Sequence, residues 1–243
     1  MPFLLILASA LASQTAAAAP LDVSKLTVGP AHSGIELDLG KLKGDLREIC
    51  WSEDGKQIYV QTADGDPRSP KLRHYLVDAS TTEPKALDKQ PEWAAEYWDF
   101  KSAKSAPGAS GMTIELGNAD NITGLPRDGR PGDGADIGQF AAANSTTTGT
   151  LAFRLLGEKI GEFVNTTPIP GLTFGWGPER SGVIAYVDHD GRVMVMDQKK
   201  QKTSIAGTKD AILPAWSADG AQLAWAQKTA RKKYVLMIAP VTK

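Results

Sequence analysis

The chain has 243 residues, with 27 Lys and Arg against 28 Asp and Glu, so its formal net charge is −1. This balance argues against a nucleic-acid-binding protein that depends on bulk charge and against an acidic, solvating tail. Apolar residues make up 42% and charged residues 23%, as in globular proteins, and the 24 glycines and 15 prolines favour a turn-rich, β-dominated chain.

The N-terminus begins with an apolar run over residues 3–12, followed by polar residues 13–15 and four alanines before Pro20. This run is too short to cross a bilayer, which takes about 20 residues, but it is typical of a secretory signal peptide. We therefore expect residues 1–18 to be a signal peptide that is cleaved after Ala18. No Lys or Arg precedes the apolar run, and a buried N-terminal strand or helix is the alternative.

Residues 19–243 are expected to form one domain without a membrane span, because no second long apolar run follows. Cys50 is the only cysteine, so no internal disulfide can form and the core must hold the fold. It lies within residues 46–51, which read as a strand. We expect a buried, inert thiol rather than a nucleophile, since no histidine partner lies in a recognisable context.

A tryptophan-marked repeat follows. The segments that begin at Trp51 and Trp216 share the pattern W-S-x-D-G-x-Q-(I/L), and a looser copy begins at Trp176. Trp176 and Trp216 are 40 residues apart, whereas Trp51 and Trp176 are 125 residues apart, which leaves room for two degenerate copies. Trp98 and Phe140 are the candidates for those two copies.

Each clear copy predicts the same succession of strands. A short apolar strand ends at the tryptophan, and a tight turn follows at Asp54-Gly55 or Asp219-Gly220. Gly suits such a turn because it tolerates positive φ, and Asp suits it because its side chain can hydrogen-bond to its own backbone. A second strand alternates with period two. Third strands are predicted at residues 72–78, 193–197 and 234–239. Such strands, repeated at a period near 40, are typical of propeller blades, which bury their faces only against their neighbours.

These repeats resemble the TolB-type, WD-like propeller repeats of exported bacterial proteins, whose usual form is W-S-P-D-G; Glu53 and Ala218 stand where that family has Pro. The resemblance covers residues 44–80, 170–200 and 208–240. It implies an all-β fold, a β-propeller of about five four-stranded blades with six as the alternative, in a periplasmic or secreted bacterial protein. The structural repeat positions that it implies are Trp51, Asp54, Gly55, Trp176, Trp216, Asp219 and Gly220.

The last blade needs an outer strand from elsewhere in the chain, since residues 222–227 and 234–239 supply only two strands after Trp216. The alternating residues 34–39 are suited to this role. We predict that they complete the last blade and tie the ring shut. Pairing with the first blade alone is the alternative.

Residues 81–169 match the repeat poorly. Residues 91–101 fit either a short inserted helix, for which Pro91 suits the first turn, or a strand that ends at Trp98. Residues 117–138 are rich in Gly, Asp, Asn and Pro and are predicted to form a long loop. Residues 150–156 and 159–164 are predicted to form a hairpin.

The sequence offers little catalytic chemistry. His32, His74 and His189 lie in distant segments and match no zinc-binding pattern; we expect His74 on a blade face and His189 at a hairpin tip. Residues 188–191 suggest a calcium loop, but a hairpin turn is the better account because Arg192 follows. No serine-nucleophile or phosphate-loop motif occurs. We therefore expect no catalytic residues, no metal and no cofactor.

Binding is the better prediction. Trp93 and Trp98 lie outside the clear repeats and are candidates for an exposed, ligand-binding aromatic surface. The basic runs at residues 199–202 and 231–233 are interpreted as solvated hairpin tips, with an acidic partner as the alternative. The sequence thus favours a non-catalytic exported propeller that binds a protein of the cell envelope or acts as a scaffold. A small-ligand or glycan binder and an enzyme with its site in the propeller channel are the alternatives.

Overall fold

The computed structural model describes residues 21–65, 69–78, 84–101, 112–116, 149–155, 158–165, 174–188 and 190–242. For residues 33–34, 98–101, 112–116, 149–155 and 158–165 it describes the backbone only. The predicted signal peptide, the predicted loop at 117–138, Phe140 and His189 lie outside the described residues.

The N-terminal segment contributes short elements that attach to other parts of the chain. They are a 3₁₀ helix (Val23–Lys25), β1 (Thr27–Val28), β2 (His32–Asp38) and a four-residue helix, α1 (Leu39–Leu42). The Asp38 carboxylate caps α1 by accepting a hydrogen bond from the Gly40 N–H at 2.9 Å.

The first sheet follows the order β3 (Asp45–Trp51), β4 (Gln57–Asp64), β5 (Lys71–Asp78) and β6 (Lys85–Leu87), with every neighbouring pair antiparallel. Along β4 the predicted alternation places Ile58, Val60 and Thr62 on one face and Tyr59 and Gln61 on the other. All five side chains are buried, so both faces of this sheet are covered.

Helix α2 (Glu92–Lys101) follows the first sheet. The carbonyl of Pro91 accepts hydrogen bonds from the N–H groups of Ala94 and Ala95, which starts the first turn. Of the two alternatives that the sequence left open for residues 91–101, the inserted helix is the one observed.

The remaining strands form three further sheets. One sheet has the order β7 (Met112–Leu116), β8 (Gly149–Leu155) and β9 (Glu158–Asn165). The next has the order β10 (Phe174–Trp176), β11 (Val183–Val187), β12 (Val193–Asp197) and β13 (Lys202–Ser204). The last contains β14 (Ala211–Trp216), β15 (Gln222–Ala230) and β16 (Lys233–Thr242). The predicted hairpin at 150–164 is present as β8 and β9, which pair antiparallel.

The N-terminal strands complete the last sheet. Leu37 of β2 pairs with Tyr234 of β16, and Ile35 pairs with Leu236; both β2 residues are buried, at 0% and 3% exposure. β1 extends this edge through the pair Val28 and Val241. The predicted pairing of the N-terminal strand with the last sheet is therefore confirmed.

Three of the sheets pack together through their tryptophan strands. β14 contacts both β10 and β3, and α2 contacts both β3 and β10. Trp51, Trp176, Trp216 and Trp225 are buried, and Cys50 is buried as the sequence predicted. The all-β prediction is confirmed: the described residues form four antiparallel sheets and few helical turns. The number of blades stays a prediction.

Candidate functional site

The W-S-x-D-G-x-Q motif builds the turn that follows each tryptophan strand. The Ser52 hydroxyl donates to the Asp54 carboxylate at 2.6 Å, and the same hydroxyl oxygen accepts the Gln57 N–H at 3.0 Å. Ser217, Asp219 and Gln222 repeat both bonds, at 2.6 and 2.9 Å.

The glycine of this motif is needed for its backbone angle. Gly55 and Gly220 have φ of 68° and 71°, a region that side-chain-bearing residues rarely adopt. The Asp54 carboxylate also accepts the Lys56 N–H at 3.1 Å, and Asp219 accepts the Ala221 N–H at 2.9 Å. The Ser, Asp, Gly and Gln of the repeat therefore serve turn geometry, which accounts for their spacing without a ligand.

A polar face lies on the opposite side of the first sheet from Ile58 and Val60. We define it by Glu48, Tyr59, Gln61 and His74, which neighbour one another across β3, β4 and β5. Glu48, Tyr59 and Gln61 are almost fully buried, and His74 is half-buried. His74 thus occupies the sheet-face position that the sequence predicted.

Tyr59 connects this polar face by two hydrogen bonds. Its hydroxyl oxygen lies 2.6 Å from His74 Nδ1 and accepts a bond from the Gln61 amide at 3.0 Å. Burial raises the pKa of Tyr59 well above its usual value, so the phenol stays protonated at neutral pH. With Gln61 as a donor to its oxygen, the phenol can donate its own proton to His74 Nδ1, an arrangement that requires the neutral imidazole to carry its proton on Nε2.

His74 is neutral in this arrangement, because burial lowers the pKa of its imidazole. The rings of Tyr59 and His74 are stacked, with centroids 6.1 Å apart. The chain from Gln61 through Tyr59 to His74 is therefore a neutral donor–acceptor relay between adjacent strands. Such a network fixes side-chain positions in a buried face.

Helix α2 covers the polar face. Ala94 is fully buried against Cys50 and Tyr59, and Trp93 meets the Tyr59 ring edge-on at a centroid distance of 6.2 Å. The Gln90 amide, just before the helix, approaches the Glu48 carboxylate at 3.5 Å. The helix is thereby bound to the first sheet by aromatic packing and by a polar contact.

Tyr97 anchors the same helix to the last sheet. Its hydroxyl donates to the backbone carbonyl of Trp216 at 3.0 Å, and burial raises the pKa of this phenol well above its usual value. Because α2 also contacts β10, it lies where three sheets come together. One helix thus contacts the tryptophan strands of the first, third and last sheets, β3, β10 and β14.

The two tryptophans that the sequence proposed for ligand binding both lie on α2. Trp93 is half-buried, with its ring against Tyr59, so only part of it faces solvent. The side chain of Trp98 lies outside the described residues. The outward positions of the first helical turns are Glu92, Ala95 and Glu96, all exposed.

Sequence reasoning missed the polar face as a unit. The placement of Tyr59 and Gln61 on one side of their strand was visible as alternation, but their connection to Glu48 and His74 depends on strand register. Among the described residues no group of three or more His, Cys, Asp or Glu side chains could hold a metal ion. No described helix is long and apolar enough to cross a membrane.

Comparisons with known proteins assign no family. No protein-family model matches this chain, and no curated protein matches it. A crystal structure of Sqt1 from Chaetomium thermophilum is 16% identical, covers 83% of this chain and 44% of its own, and superposes with a TM-score of 0.22. An oligogalacturonate lyase in complex with manganese is 9% identical, covers 80% of this chain and 65% of its own, and gives a TM-score of 0.26. The chain spans less than two thirds of either structure's length, and at these TM-scores neither likeness carries an argument.

Proposed function

We propose that the chain is an exported, TolB-like β-propeller that acts as a non-catalytic scaffold and binds a protein of the cell envelope. One observation carries the propeller assignment: the strands that end in the repeat tryptophans, β3, β10 and β14, are each an edge strand of their sheet, and β14 contacts both of the others. In a propeller the corresponding strand of each blade faces the common axis. Helix α2 contacts both β3 and β10 and would then occupy the position of another axis-facing strand in the proposed propeller.

The scaffold assignment rests on how the polar groups of the first sheet are used. Tyr59, Gln61 and His74 bond one another, and Tyr97 bonds a backbone carbonyl. These bonds preorganise the helix rather than present reactive groups to a substrate. A rigid helix that is fixed on its inner side can bind a partner with little loss of conformational entropy.

The exposed surface of α2 indicates the chemistry of the partner. Glu92 and Glu96 are exposed and lie one helical turn apart. The small side chain of Ala95 is exposed beside them, and part of the Trp93 ring is exposed to solvent. Spacing of four residues places both carboxylates on the same side of the helix. This surface is suited to a basic segment of a partner protein that also contacts the indole.

Export is supported by the leader pattern, and the first residue that the structure describes lies after the predicted cleavage site. Leu21 is buried, and its N–H donates to the Ser181 carbonyl at 3.0 Å. A chain cleaved after Ala18 would keep the whole N-terminal segment that the structure describes. The mass of the protein recovered from the periplasm tests this cleavage site.

Affinity capture from periplasmic extract tests the binding role. The immobilised mature chain should retain a distinct protein, and the variant Glu92→Lys with Glu96→Lys should lose it. The control is Glu53→Lys with Glu179→Lys, which changes the charge equally at two exposed turn positions and should retain the protein. Equal capture by both variants, or no specific capture by the wild type, would refute the proposal.

A further inference from the structure

The last sheet carries a basic cap at one end. We define the basic cap as the exposed cations around the β15–β16 turn and the segments that touch it: Lys41, Lys43, Lys209, Lys228, Arg231, Lys232 and Lys233. All seven side chains are exposed. They come from three separate parts of the chain, so no single sequence run defines the cap.

Backbone contacts bring these segments together. The Leu39 N–H donates to the Lys232 carbonyl at 3.0 Å, which joins α1 to the turn. The Lys228 N–H donates to the Asp210 carbonyl at 3.2 Å, which joins β15 to the chain before β14. Lys233 pairs with Asp38 in the β2–β16 ladder. The cap is therefore a continuous surface held by the sheet.

The charges of the cap are not neutralised locally. In the part of the chain that the structure describes, none of the seven cations lies within 4.0 Å of a carboxylate. Asp38 is the nearest acid by register, and its carboxylate caps α1. Asp45, Asp64 and Asp210 also lie near this end. Asp188 and Asp190 adjoin Asp210 through Gly191, and both pair with Arg192. The seven cations of the cap still exceed the four carboxylates beside them that pair with no cation among the described residues, Asp38, Asp45, Asp64 and Asp210.

We propose that the basic cap docks the protein on the anionic phospholipid surface of a membrane. Six of the seven cations are lysines at turns and strand ends, and lysine acts as a hydrated point charge on a flexible stem. This suits a fluid array of phosphate headgroups, whereas ordered recognition of one carboxylate or phosphate favours the planar fork of arginine. The choice of a membrane over other polyanions rests on the proposed export, which brings the chain to an envelope rich in such headgroups.

Vesicle cosedimentation of the purified mature chain tests this proposal independently of export. The probes are vesicles of phosphatidylglycerol mixed with phosphatidylcholine, and vesicles of phosphatidylcholine alone. The chain should bind the former at about 50 mM salt, should be released at about 500 mM salt as the Debye length shortens, and should not bind the latter. The variant Lys228→Gln, Arg231→Gln, Lys232→Gln should bind about a hundredfold more weakly.

A matched variant controls for net charge. Lys56→Gln, Lys85→Gln, Lys89→Gln removes the same charge from exposed positions of the first sheet and of the segment before α2, and should bind like the wild type. Circular dichroism and the melting temperature verify that both variants fold. No binding to the anionic vesicles, equal weakening in both variants, or equal affinity for a duplex DNA oligonucleotide or for polyglutamate would overturn the proposal. Glu92→Lys with Glu96→Lys should still bind vesicles, which separates this test from that of the partner-binding role.

Discussion

The indole Nε1 of Trp51 donates a hydrogen bond to the backbone carbonyl of Ala215 at 3.1 Å, between residues that are 164 positions apart in the chain. Both residues are buried. The bond connects the end of β3, an edge strand of the first sheet, to β14, an edge strand of the last sheet. It therefore joins two sheets that are far apart in the sequence.

Replacing Trp51 tests how much this hydrogen bond contributes to the free energy of unfolding. Trp51→Phe removes the indole donor to the Ala215 carbonyl. Trp216→Phe removes an equally buried indole whose Nε1 has no hydrogen-bond partner among the described residues. Both variants create a similar cavity, so Trp51→Phe should lower the free energy of unfolding by about 0.5–1.5 kcal/mol more than Trp216→Phe, as measured by urea unfolding. Equal losses would show that the bond does not contribute.

The N-terminal strand should stabilise the whole domain through its inward side chains. Leu37→Ala removes a fully buried side chain from β2 and is expected to cost about 2–5 kcal/mol in the free energy of unfolding. Glu36→Ala, one residue earlier on the exposed side of the same strand, should change it by less than about 0.5 kcal/mol. A small effect of Leu37→Ala would mean that the strand is only loosely attached.

The pKa of the Asp22 carboxyl should lie far below its usual value. The hydroxyl of Ser24 and then the ammonium of Lys199 lower the pKa of this carboxyl from 3.8 to about 2. Because the folded-state pKa is depressed, its stabilising effect is present above pH 3.8 and is lost as the pH falls towards 2. A carboxyl-carbon NMR titration should show this low midpoint, a higher midpoint in Ser24→Ala, and no change in Lys25→Ala. A wild-type midpoint near 3.8 would contradict the observed contacts.

His74 should titrate below its ordinary value of 6.5, because burial lowers the pKa of its imidazole. The neutral form is favoured in the fold, so this stabilising contribution is present above pH 6.5 and is lost as the pH falls through the folded-state pKa. NMR of the ring nitrogens should show the proton on Nε2. Tyr59→Phe removes the donor to Nδ1 and should raise the pKa, whereas Tyr75→Phe, on the other face of the sheet, should not. A proton on Nδ1 in the wild type would refute the relay.

The turns and the strand order could be predicted because their causes are local. The motifs around Asp54 and Asp219 contain every group that their turns require, so the printed sequence is sufficient to place them. The pairing of residues 34–39 with the last sheet could also be predicted. A strand with one apolar side is stable only where that side is buried, and pairing with the edge of a sheet buries it. Here β16 provides that edge.

The polar face and the placement of α2 could not be predicted, because both depend on distant contacts. Glu48 lies opposite Gln61 only because the ladder shifts register between Leu46 and Glu48. Tyr97 reaches the Trp216 carbonyl across 119 positions of the chain. The spacing of apolar residues in 91–101 fitted both a helix and a strand. The observed helix packs on Cys50 and Tyr59, which are distant in the sequence.

Hydrogen exchange of the Trp51 indole proton tests most directly the claim that the first and last sheets pack against each other. The nitrogen-edited spectrum of the native protein should contain an indole signal that disappears in Trp51→Phe. We predict that this proton exchanges only through global unfolding, at a rate that follows the free energy of unfolding as urea is added. Exchange at a rate independent of urea, through local opening while the sheets stay folded, would contradict the account.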